Sequence, residues 1–522
     1  MKKRLLTLLL AMLSTLSLCA CEDGNWDDLQ QDDVFQTLQD YYGSSGKEDA
    51  SPALTGFALP YLSGKTADPI TCIDGAQHTL GTLLYEPLYQ LDPQLNPQPF
   101  LAESHSYSAS KRTYTITLRE DITFSDGSSL SAKDVVYSLE RAMKSQRYSS
   151  RLAEITSVSG KGTTVTIKLS VNNASFLFRL DIPIIKYGTG GRTYPIGSGP
   201  YCYRKDDTGA YLSPNENWWQ DKSLPLERID LVRCKDYDTM AYAFYSRDIQ
   251  LMMYDLTATS TTNVYGSGSY TDAATTTMQF IGINTTRAPL NDASLRAALQ
   301  LGVDRSNCIS AYLLGHGKAA QFPLSPVSDL YPHQLEVPYS PDYFDTAMAE
   351  AGYSKDKPIR LTLLVNKENS FKVDAAKQIA ADLSQHDLHI TVKAVSWKNY
   401  LAALQAGDFD LYYGECKLTA DWDLRSLLST GGSLNYGLYS DAQMDALISA
   451  MLSAPEEDRP AAAQELYSYF AQQCPILPIC FKDVSVLLPA DAVEGIVPTA
   501  ANPFYNLPQW NINIALPEEV SE

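Results

Sequence analysis

The sequence is poor in the features that mark nucleic-acid binding or catalysis. It has 41 Lys and Arg against 61 Asp and Glu, and a net charge of -20 disfavours binding to a phosphate backbone. Six histidines occur, and none lies in a recognisable catalytic motif. The segment Gly197–Gly199 lacks the Gly-x-Ser-x-Gly pattern of a nucleophile elbow, and no Gly-x-x-x-x-Gly-Lys phosphate loop is present. We therefore expect no enzyme activity, no cofactor and no nucleic-acid partner.

Cysteine usage argues against a zinc site or a thioredoxin-like redox motif. Beyond Cys21 the count of cysteines is odd, and no two of them have the Cys-x-x-Cys spacing. They are Cys72, Cys202, Cys234, Cys308, Cys416, Cys474 and Cys480. Cys202 and Cys234 lie in two apparent strands and could form a disulfide in an oxidising compartment, whereas mostly apolar surroundings favour buried structural thiols. The sequence leaves the pairing open and predicts no metal site.

The longest apolar run is too short to span a membrane. Three basic residues precede Leu5–Leu18, a run well short of the ~20 residues that a spanning helix needs. This pattern predicts a secretory signal peptide at residues 1–20. The run ends in Leu18-Cys19-Ala20-Cys21, which resembles the lipobox of bacterial lipoproteins. The resemblance implies that Cys21 becomes the lipidated first residue of the mature protein, and the alternative is ordinary cleavage to a soluble secreted form.

Residues 21–52 are predicted to form a flexible acidic tether. The stretch is polar, carries several aspartates and has no sustained apolar period. A coil of this length spans on the order of 30 Å, which would hold a folded body away from a bilayer. No later stretch reaches 18 uninterrupted apolar residues. We therefore expect an aqueous body in the cell envelope, lipid-anchored to the outer face of the cytoplasmic membrane or facing the periplasm.

The body is long enough for about three lobes at roughly 150 residues each. Alternating apolar residues predict half-buried strands at Thr113–Arg119 and Thr163–Leu169. Between them, Ser131 resembles an N-cap, with Asp134 at the third helical position, and an amphipathic pattern follows. Strand-like and helical runs then alternate from Ile359 to Leu404, which is typical of α/β structure.

Short segments in a fixed order carry a more specific signal. They are Tyr85–Leu88, Leu101–Glu103, Tyr114–Arg119, Phe124–Gly127, Ala132–Val135, Pro195–Tyr201, Asn215 with Trp218 and Trp219, Ile229–Val232, Ile283–Thr285, Asp292 with Arg296–Ala298, Val303–Arg305 and Ala351–Tyr353. Each match alone is weak. The set, in this order and at these distances, resembles the family 5 extracellular solute-binding proteins, which serve peptide and nickel ABC importers. The resemblance runs from about Leu54 to Trp510, nearly the whole mature body.

This resemblance implies an α/β fold of the periplasmic-binding-protein type (type II, cluster C). Such a fold is a two-lobed clamp with a ligand cleft between the lobes, here with an extra subdomain on lobe one. The implied division places residues 53–78, 188–272 and 484–522 in lobe one, residues 79–187 in its accessory subdomain and residues 273–483 in lobe two. The presumed crossings lie near Ser267–Thr277 and Phe481–Val484, where closure would change the backbone dihedrals.

The resemblance also implies where a ligand binds. In peptide-binding members an acid on lobe two commonly binds the amino group of the ligand, and Asp421 falls at that position, with Glu415 and Asp423 near it. This sequence departs from the family pattern because Glu415 replaces a usual tryptophan, the gap to the acid is longer and Leu424 replaces a usual proline, so the alignment could slip to Asp423. Two adjacent carboxylates in a cleft favour a cationic ligand group. The alternative is a solvated turn in which an aspartate caps a helix beginning near Leu424.

Other candidates for the cleft are aromatic or flexible. They are Trp397 and Trp422 on lobe two, and Tyr85, Glu86, Gly199 and Tyr201 on the facing lobe. Each tryptophan could form an aromatic wall of the cleft, although core packing is the alternative for both. The glycines of Gly197–Tyr201 would let backbone groups approach the amides of a ligand.

The implied function is capture and delivery. We expect a monomeric, membrane-tethered lipoprotein that binds a small organic solute, an oligopeptide in the first instance, and presents it to the permease of an ABC importer. A nickel chelate or an oligosaccharide is the alternative ligand within the family. From a different class, the alternative is a surface peptide receptor or adhesion scaffold without a transport role.

Overall fold

The computed structural model describes residues 56–258, 268–353, 358–384, 388–490 and 492–513. The chain divides into two compact units, and all of these residues belong to the second unit, Ala53–Glu522. The predicted signal peptide, Cys21 and the acidic tether lie outside the described residues. Within the ranges given above, no helix has both the length and the apolar character that crossing a bilayer requires.

One small mixed sheet joins segments that are far apart in the sequence. Its strands, in spatial order, are Ala58–Leu62, Ile229–Cys234, Ala210–Pro214 and Tyr201–Lys205. The first two strands are parallel and the other neighbours are antiparallel. Helices Gly75–Gly81 and Tyr237–Tyr245 pack beside this sheet. The sheet therefore brings the start of the described chain next to a segment well over a hundred residues away.

A second, antiparallel sheet confirms the strands predicted from alternating apolar residues. Its strands, in spatial order, are Ala102–Ser108, Thr113–Leu118, Thr164–Leu169 and Ile155–Lys161. Tyr114, Ile116 and Leu118 are buried, as the alternation requires. Helix Ala132–Ala142 packs on this sheet. The predicted cap is present, because the backbone N–H of Ser131 donates to the carboxylate of Asp134 at 2.9 Å.

The largest sheet lies in the second half of the chain. Its strands, in spatial order, are Met252–Tyr254, Ile476–Pro489, Gly268–Ile283, Leu411–Lys417, Ile359–Asn366 and Leu388–Val395, and Gly317–Ala319 also pairs with Ile476–Pro489. Ile359–Asn366 runs parallel to both of its neighbours. The helices of this half are Ala293–Leu301, Arg305–Asn307, Pro341–Glu350, Ser370–Leu383, Trp397–Ala406, Arg425–Leu428, Ala442–Ser453 and Arg459–Gln473. The alternation of strands and helices confirms the α/β structure predicted for this region.

Short elements complete the described fold. The two-stranded pairs are Glu86–Pro87 with Pro183–Ile184, Tyr89–Leu91 with Pro97–Pro99, and Val493–Glu494 with Asn511–Ile512. Single turns of 3-10 helix occur at Phe176–Arg179, His333–Leu335 and Leu507–Gln509, and a π-helical turn spans Cys308–Tyr312.

The apolar core falls into two groups along the chain. One large cluster of buried side chains is drawn from residues 57–251 and 486–510. Two other clusters are drawn from residues 278–481, together with Leu95. The first two sheets lie in the first group. The largest sheet lies mostly in the second group and reaches the first through Val486 and Leu488. The molecule therefore has the two lobes that the fold class requires. Below, lobe one means the first group, including the second sheet, and lobe two means the second group.

Two long antiparallel strands connect the lobes. Gly268–Ile283 and Ile476–Pro489 pair along most of their length. Their register shifts between Ala274 and Met278, so residues 275–277 lie outside this ladder. The shift falls within the predicted crossing segments. On the other side, Thr277 still pairs with Lys417, and the N–H of Leu418 donates to the carbonyl of Thr276 at 2.9 Å. Only the link between the two long strands is interrupted, and we expect the lobes to move at this irregularity.

The cysteines of the body are all free. Each of the seven is buried except Cys416, which is partly buried. Cys202 and Cys234 therefore form no disulfide, and the prediction of buried structural thiols is confirmed for the described residues.

Candidate ligand-binding cavity

A cavity of about 1170 Å³ lies between lobe one and lobe two. Its aromatic lining comprises Tyr85, Phe100, Tyr148, Trp218, Tyr237, Tyr254, Phe504 and Tyr505. Its ionisable lining comprises His78, Glu86, Arg147, Arg151, Arg179, Asp181, Lys222, Asp255, Lys417, Asp423, Lys482 and Asp483. Residues 275–277 and 418–420 also line the cavity. The cavity therefore combines flat apolar surface with charges of both signs.

A buried ion-pair cluster joins the lobes at one edge of the cavity. We call it the Arg179 cluster; its members are Glu154, Asn173, Arg179, Asp421, Asp423 and Arg425. Arg179, at the end of a 3-10 turn of lobe one, donates from Nε to Asp421 at 2.6 Å and from Nη2 to Asp423 at 2.8 Å. The side chain of Asp421 is 0% exposed and that of Arg179 is 4% exposed. One guanidinium from lobe one thus forms ion pairs with two carboxylates of lobe two.

Further contacts complete the Arg179 cluster. Asn173 donates to Glu154 at 3.0 Å and to Asp421 at 3.2 Å. Arg425 donates to Asp423 at 2.6 Å and also bonds to Glu154. Although burial alone would raise it, the pKa of Asp423 is lowered by Arg425 and then by Arg179. The acids of this edge are therefore paired with the cations of the protein itself.

The position of Asp421 bears on its predicted role. The sequence resemblance implies that it binds a ligand amino group, and the structure places its carboxylate against Arg179 and Asn173. Asp423, the alternative position, lines the cavity. Its carboxylate accepts from Arg425 N–H and Nε, at 3.0 Å and 2.8 Å. A ligand amine would have to compete with the guanidinium groups for Asp423, whereas Oδ1 of Asp421 is buried and has no hydrogen-bond partner among the described residues.

Glu415 is likewise paired within lobe two. Its Oε2 accepts from Gln279 at 2.8 Å, and its Oε1 lies 3.2 Å from the ammonium of Lys372. Lys482 lies 3.9 Å from the same carboxylate. Glu415 does not line the cavity among the described residues. The two carboxylates that the sequence placed together are therefore each compensated by a separate basic side chain.

A pair of cations without such compensation faces the cavity. Arg147 follows helix Ala132–Ala142 of lobe one, and Lys417 ends strand Leu411–Lys417 of lobe two. Both are exposed to the cavity. No carboxylate of the described chain lies within ion-pair distance of either, whereas their neighbour Arg151 is paired with Asp181. We call Arg147 and Lys417 the cation pair.

The pKa values of His78 and of Lys417 itself reflect the environment of the cation pair. The pKa of His78 is lowered to about 3, first by burial and then by Arg147, Lys417 and Arg151. The pKa of Lys417 is lowered by loss of hydration in the cleft and then by Arg147 and Arg151. His78 is therefore neutral at physiological pH, and the positive potential of this corner comes from the arginines and Lys417.

Glu86 is a buried acid held by hydrogen bonds. It accepts from Ser198 at 2.8 Å and from the indole N–H groups of Trp218 and Trp219 at 2.8 Å and 2.7 Å. Burial raises the pKa of Glu86 to about 7, although these donors oppose the shift. Glu86 and Trp218 both line the cavity. Glu86 thus orients an aromatic wall of the cavity.

The other predicted residues of lobe one pack inside the protein. Tyr85 lines the cavity and is buried, with its hydroxyl 3.3 Å from the carbonyl oxygen of Pro195. Tyr201 is buried and donates to the carbonyl of Leu226 at 2.9 Å. A Cβ at Gly199 would lie 2.5 Å from the backbone carbon of Leu84. This glycine is therefore required for a close approach within lobe one.

The two predicted tryptophans of lobe two differ in exposure. Trp422 is buried and packs edge-on against Phe481, with ring centroids 5.8 Å apart. Trp422 therefore packs in the core, which was the alternative to forming an aromatic wall of the cleft. Trp397 is 53% exposed and stacks on Tyr400. Neither tryptophan lines the cavity among the described residues.

The strand crossing contributes charged groups that the sequence did not single out. Lys482 is buried, lines the cavity and lies 2.6 Å from Asp255. Asp483 also lines the cavity and lies 3.4 Å from Lys318. Burial raises the pKa of Asp483, which Lys318 opposes. The crossing is therefore a charged wall of the cavity as well as a connection between the lobes.

A serine, a histidine and an aspartate meet near the crossing in an arrangement unlike a catalytic triad. Ser485 donates to Asp272 at 2.6 Å, and Nδ1 of His316 lies 3.0 Å from the same carboxylate. The same nitrogen lies 3.3 Å from the hydroxyl of Ser485. A triad requires the two partners on opposite nitrogens of the imidazole. In the described ranges, no three His, Cys, Asp or Glu side chains are grouped so that they could bind a metal ion.

Sequence reasoning missed Arg179, Arg147, Lys417 and Lys482. Arg179 had a usable signal, because it ends the apolar run Phe176–Arg179 and a cation in such a run needs a buried partner. Lys482 had the same signal, because it directly follows the apolar run Ile476–Phe481. Arg147 and Lys417 had none, since each stands among polar or mixed neighbours and gains its position through the fold.

A family description matches residues 96–433 of this chain: bacterial extracellular solute-binding proteins, family 5 Middle. The oligopeptide-binding protein AppA of Bacillus subtilis (strain 168) is 24% identical over 513 residues, which cover 90% of this chain and 94% of AppA. The glutathione-binding protein GsiB of Escherichia coli (strain K12) is 24% identical over 432 residues, which cover 77% of this chain and 83% of GsiB.

Solved structures share the fold. The unliganded open form of the periplasmic murein tripeptide binding protein MppA superposes with a TM-score of 0.75 at 17% identity, covering 88% of this chain and 97% of MppA. NikZ from Campylobacter jejuni in complex with Ni(L-His) superposes with a TM-score of 0.61 at 18% identity, covering 88% of this chain and 99% of NikZ. The named ligands of these proteins range from peptides to a nickel complex.

Proposed function

The chain belongs to the bacterial extracellular solute-binding proteins of family 5, and we propose that it is the substrate-binding subunit of an ABC importer that captures oligopeptides. The cavity between the lobes carries this proposal. At about 1170 Å³ it is larger than the roughly 300–1,000 Å³ typical of small-molecule pockets. A ligand several residues long can therefore be enclosed between the lobes.

The lining of the cavity suits a peptide. Trp218, Phe504 and Tyr505 offer flat apolar surface for side chains of varied size. Residues 275–277, which lie outside the long ladder, bring backbone groups to the wall. Thr276 and Thr277 bond to the neighbouring strand, and the backbone groups that this pairing leaves unbonded can bond to the amides of a ligand whatever its side chains. Such a wall supports binding of peptides with little sequence discrimination.

The same lining disfavours a bare metal cation. His78, a histidine on the cavity wall, stands beside Arg147, Arg151 and Lys417, which repel a divalent ion. An anionic nickel chelate stays compatible with these charges. Peptide is preferred here because the aromatic surface and the volume exceed what a compact chelate needs.

Transport in this proposal depends on closure of the lobes around the ligand. The moving bodies are the lobes assigned from the sequence, with 79–187 attached to lobe one, and the bending positions are 275–277 and 482–484. Contacts that a ligand makes with both lobes at once exist only in the closed form. Differential affinity for that form shifts the population towards closure, which the permease then recognises.

The proposal places the protein at the outer face of the membrane. Cys21 carries the lipid, residues 21–52 form the tether, and one monomer serves the permease. Growth with labelled palmitate tests the anchor: the wild-type protein should incorporate label, and Cys21→Ser should lose both the label and the membrane association. Equal labelling of the two proteins would refute a lipid on Cys21.

Native mass spectrometry of the gently purified protein tests the ligand. We expect masses of co-purified peptides that disappear after denaturation. Small-angle scattering should then show contraction when a peptide mixture is added to stripped protein. Co-purification of a sugar or a nickel complex, or no contraction with any peptide, would contradict the proposal.

A further inference from the structure

The cation pair is the one uncompensated charge feature that both lobes bring to the described cavity wall. Arg147 comes from lobe one and Lys417 from lobe two, and both line the cavity. They are close enough that Arg147 perturbs the titration of Lys417. Their surroundings offer no described carboxylate within ion-pair distance, because Asp181 is taken by Arg151. Two like charges from opposite lobes thus line one cavity.

The neighbouring groups do not relieve this repulsion. His78 is neutral and Tyr148, which lies 3.4 Å from it, carries no charge at physiological pH. Asp421 and Asp423 are held in the Arg179 cluster. Closing the empty cleft would bring Arg147 and Lys417 into a less hydrated space at a cost in Coulomb energy.

An anionic group between the two side chains would make the electrostatic energy of closure favourable. A carboxylate accepts charge-assisted hydrogen bonds from a guanidinium and an ammonium at once. Because one cation belongs to each lobe, the carboxylate would bond to both lobes only when they approach. Such a contact is stronger in the closed form than in the open form, which is the condition for a ligand to drive closure.

Resting on the proposed function, we infer that Arg147 and Lys417 together bind a carboxylate of the peptide ligand and thereby select peptides that carry one in this corner of the cavity. The carboxylate is either the C-terminal group of the peptide or an acidic side chain. Lys417 is the specificity-determining residue of lobe two, and Arg147 is its counterpart on lobe one.

Calorimetric titration of the full-length protein with three matched pools of synthetic tri-, penta- and nonapeptides tests this inference. The first pool has neutral side chains and a free carboxyl terminus, the second is its C-terminal amide, and the third is the amide with one internal glutamate. We expect the first pool to bind at least tenfold more tightly than the second. Tight binding of the third pool would identify the side chain as a sufficient source of the carboxylate, and weak binding would identify the terminus.

Lys417→Met should remove the difference between the acid and amide pools by weakening the binding of the acid pool. Lys398→Met is the matched control, since Lys398 is an exposed lysine of lobe two that does not line the cavity, and it should keep the wild-type preference. Small-angle scattering adds a second readout: the acid pool should contract the wild type more than Lys417→Met.

Two negative results are distinguishable. Equal affinity of the wild type for acid and amide pools, or a preference that survives Lys417→Met, would overturn the inference and leave peptide capture standing. Failure of all three pools to bind the wild type would overturn peptide capture, and the inference with it.

Discussion

The two charge groups between the lobes are built from the same kinds of side chain and differ in compensation. In the Arg179 cluster, cations and carboxylates from both lobes are buried and bonded to one another. In the cation pair, two positive groups from opposite lobes line the cavity with no described carboxylate within ion-pair distance, and Arg147 lies over the ring of Tyr148 at 5.6 Å from its centroid. The carboxylates of the first group are paired with guanidinium groups in the absence of a ligand, although Oδ1 of Asp421 is buried with no hydrogen-bond partner among the described residues. The second group gains a counter-ion only when an anion arrives.

This contrast teaches that position in a cleft does not decide whether a charged residue serves the fold or the ligand. Asp423 and Lys417 both line the cavity. The carboxylate of Asp423 is neutralised by Arg179 and Arg425, so its charge contributes to joining the lobes. The charge of Lys417 has no described carboxylate within ion-pair distance and can therefore pair with an anionic ligand group. Charge balance, counted over both lobes, is the better guide.

Removing the cation of the Arg179 cluster should have the largest effect. Arg179→Met leaves Asp421, Asp423 and Glu154 with one guanidinium fewer in a buried site, and we expect the free energy of unfolding to fall by about 3–5 kcal/mol. Urea denaturation measures the loss. Arg228→Met is the matched control, because Arg228 also pairs with two aspartates, at 3.0 Å and 2.7 Å, but in solvent. Similar losses in both variants would contradict the distinction.

Asp421→Asn sharpens the comparison by separating two roles for one acid. If pairing with Arg179 is its role, the variant should lose about 2–4 kcal/mol of stability, and the wild type should bind a peptide and its N-acetylated form with affinities within about threefold. Denaturation and calorimetry provide the two measurements. A tenfold loss on acetylation that vanishes in Asp421→Asn would show instead that this carboxylate binds the ligand amine.

Glu86 is the intermediate case, a buried acid with hydrogen-bond donors and no bonded cation. Its pKa is raised from 4.5 to about 7, so between these values the folded state holds a proton that the unfolded state has lost. Stability should therefore fall as pH rises through this window. Relative to Glu86→Gln, which does not titrate, the wild type should lose on the order of 2–3 kcal/mol. Parallel stability curves for the two proteins from pH 4 to 8 would refute the assignment.

The smallest effect should come from the uncompensated side. Lys417→Met removes repulsion from Arg147 and Arg151, so the empty protein should gain a few tenths of a kcal/mol. Thermal unfolding at low and high salt measures the gain, which added salt should reduce. Lys398→Met should change nothing. A clear loss of stability in Lys417→Met would show that this lysine has a counter-ion, and the cation pair would then not differ from the Arg179 cluster in charge compensation.

Local patterns were enough to predict much of the fold. Alternation at Tyr114, Ile116 and Leu118 predicts a strand because one face of the sheet is buried, and Ser131 with Asp134 predicts a helix start because backbone donors there need acceptors. These signals act over a few residues. Segment order then identified the family and its two-lobed architecture.

The candidate site was less predictable because its contacts are long-range. Arg179 and Asp421 are separated by 242 residues, and nothing near Asp421 in the sequence shows that its charge is already matched. The exposure of Trp397 is a separate case, because its contact with Tyr400, three residues along the same helix, is local and the sequence does not show which face of the helix is covered. Pairing across lobes is a property of the topology.

The shift in register between the two long strands has a mechanical consequence. Residues 275–277 and Lys482 border the cavity at the point where the ladder between the two long strands is interrupted. A guest that bonds to these residues replaces missing cross-strand links, so it stiffens the joint from the inside. Occupancy then narrows the spread of angles between the lobes, and a membrane partner can distinguish a loaded molecule by its rigidity as well as by its shape.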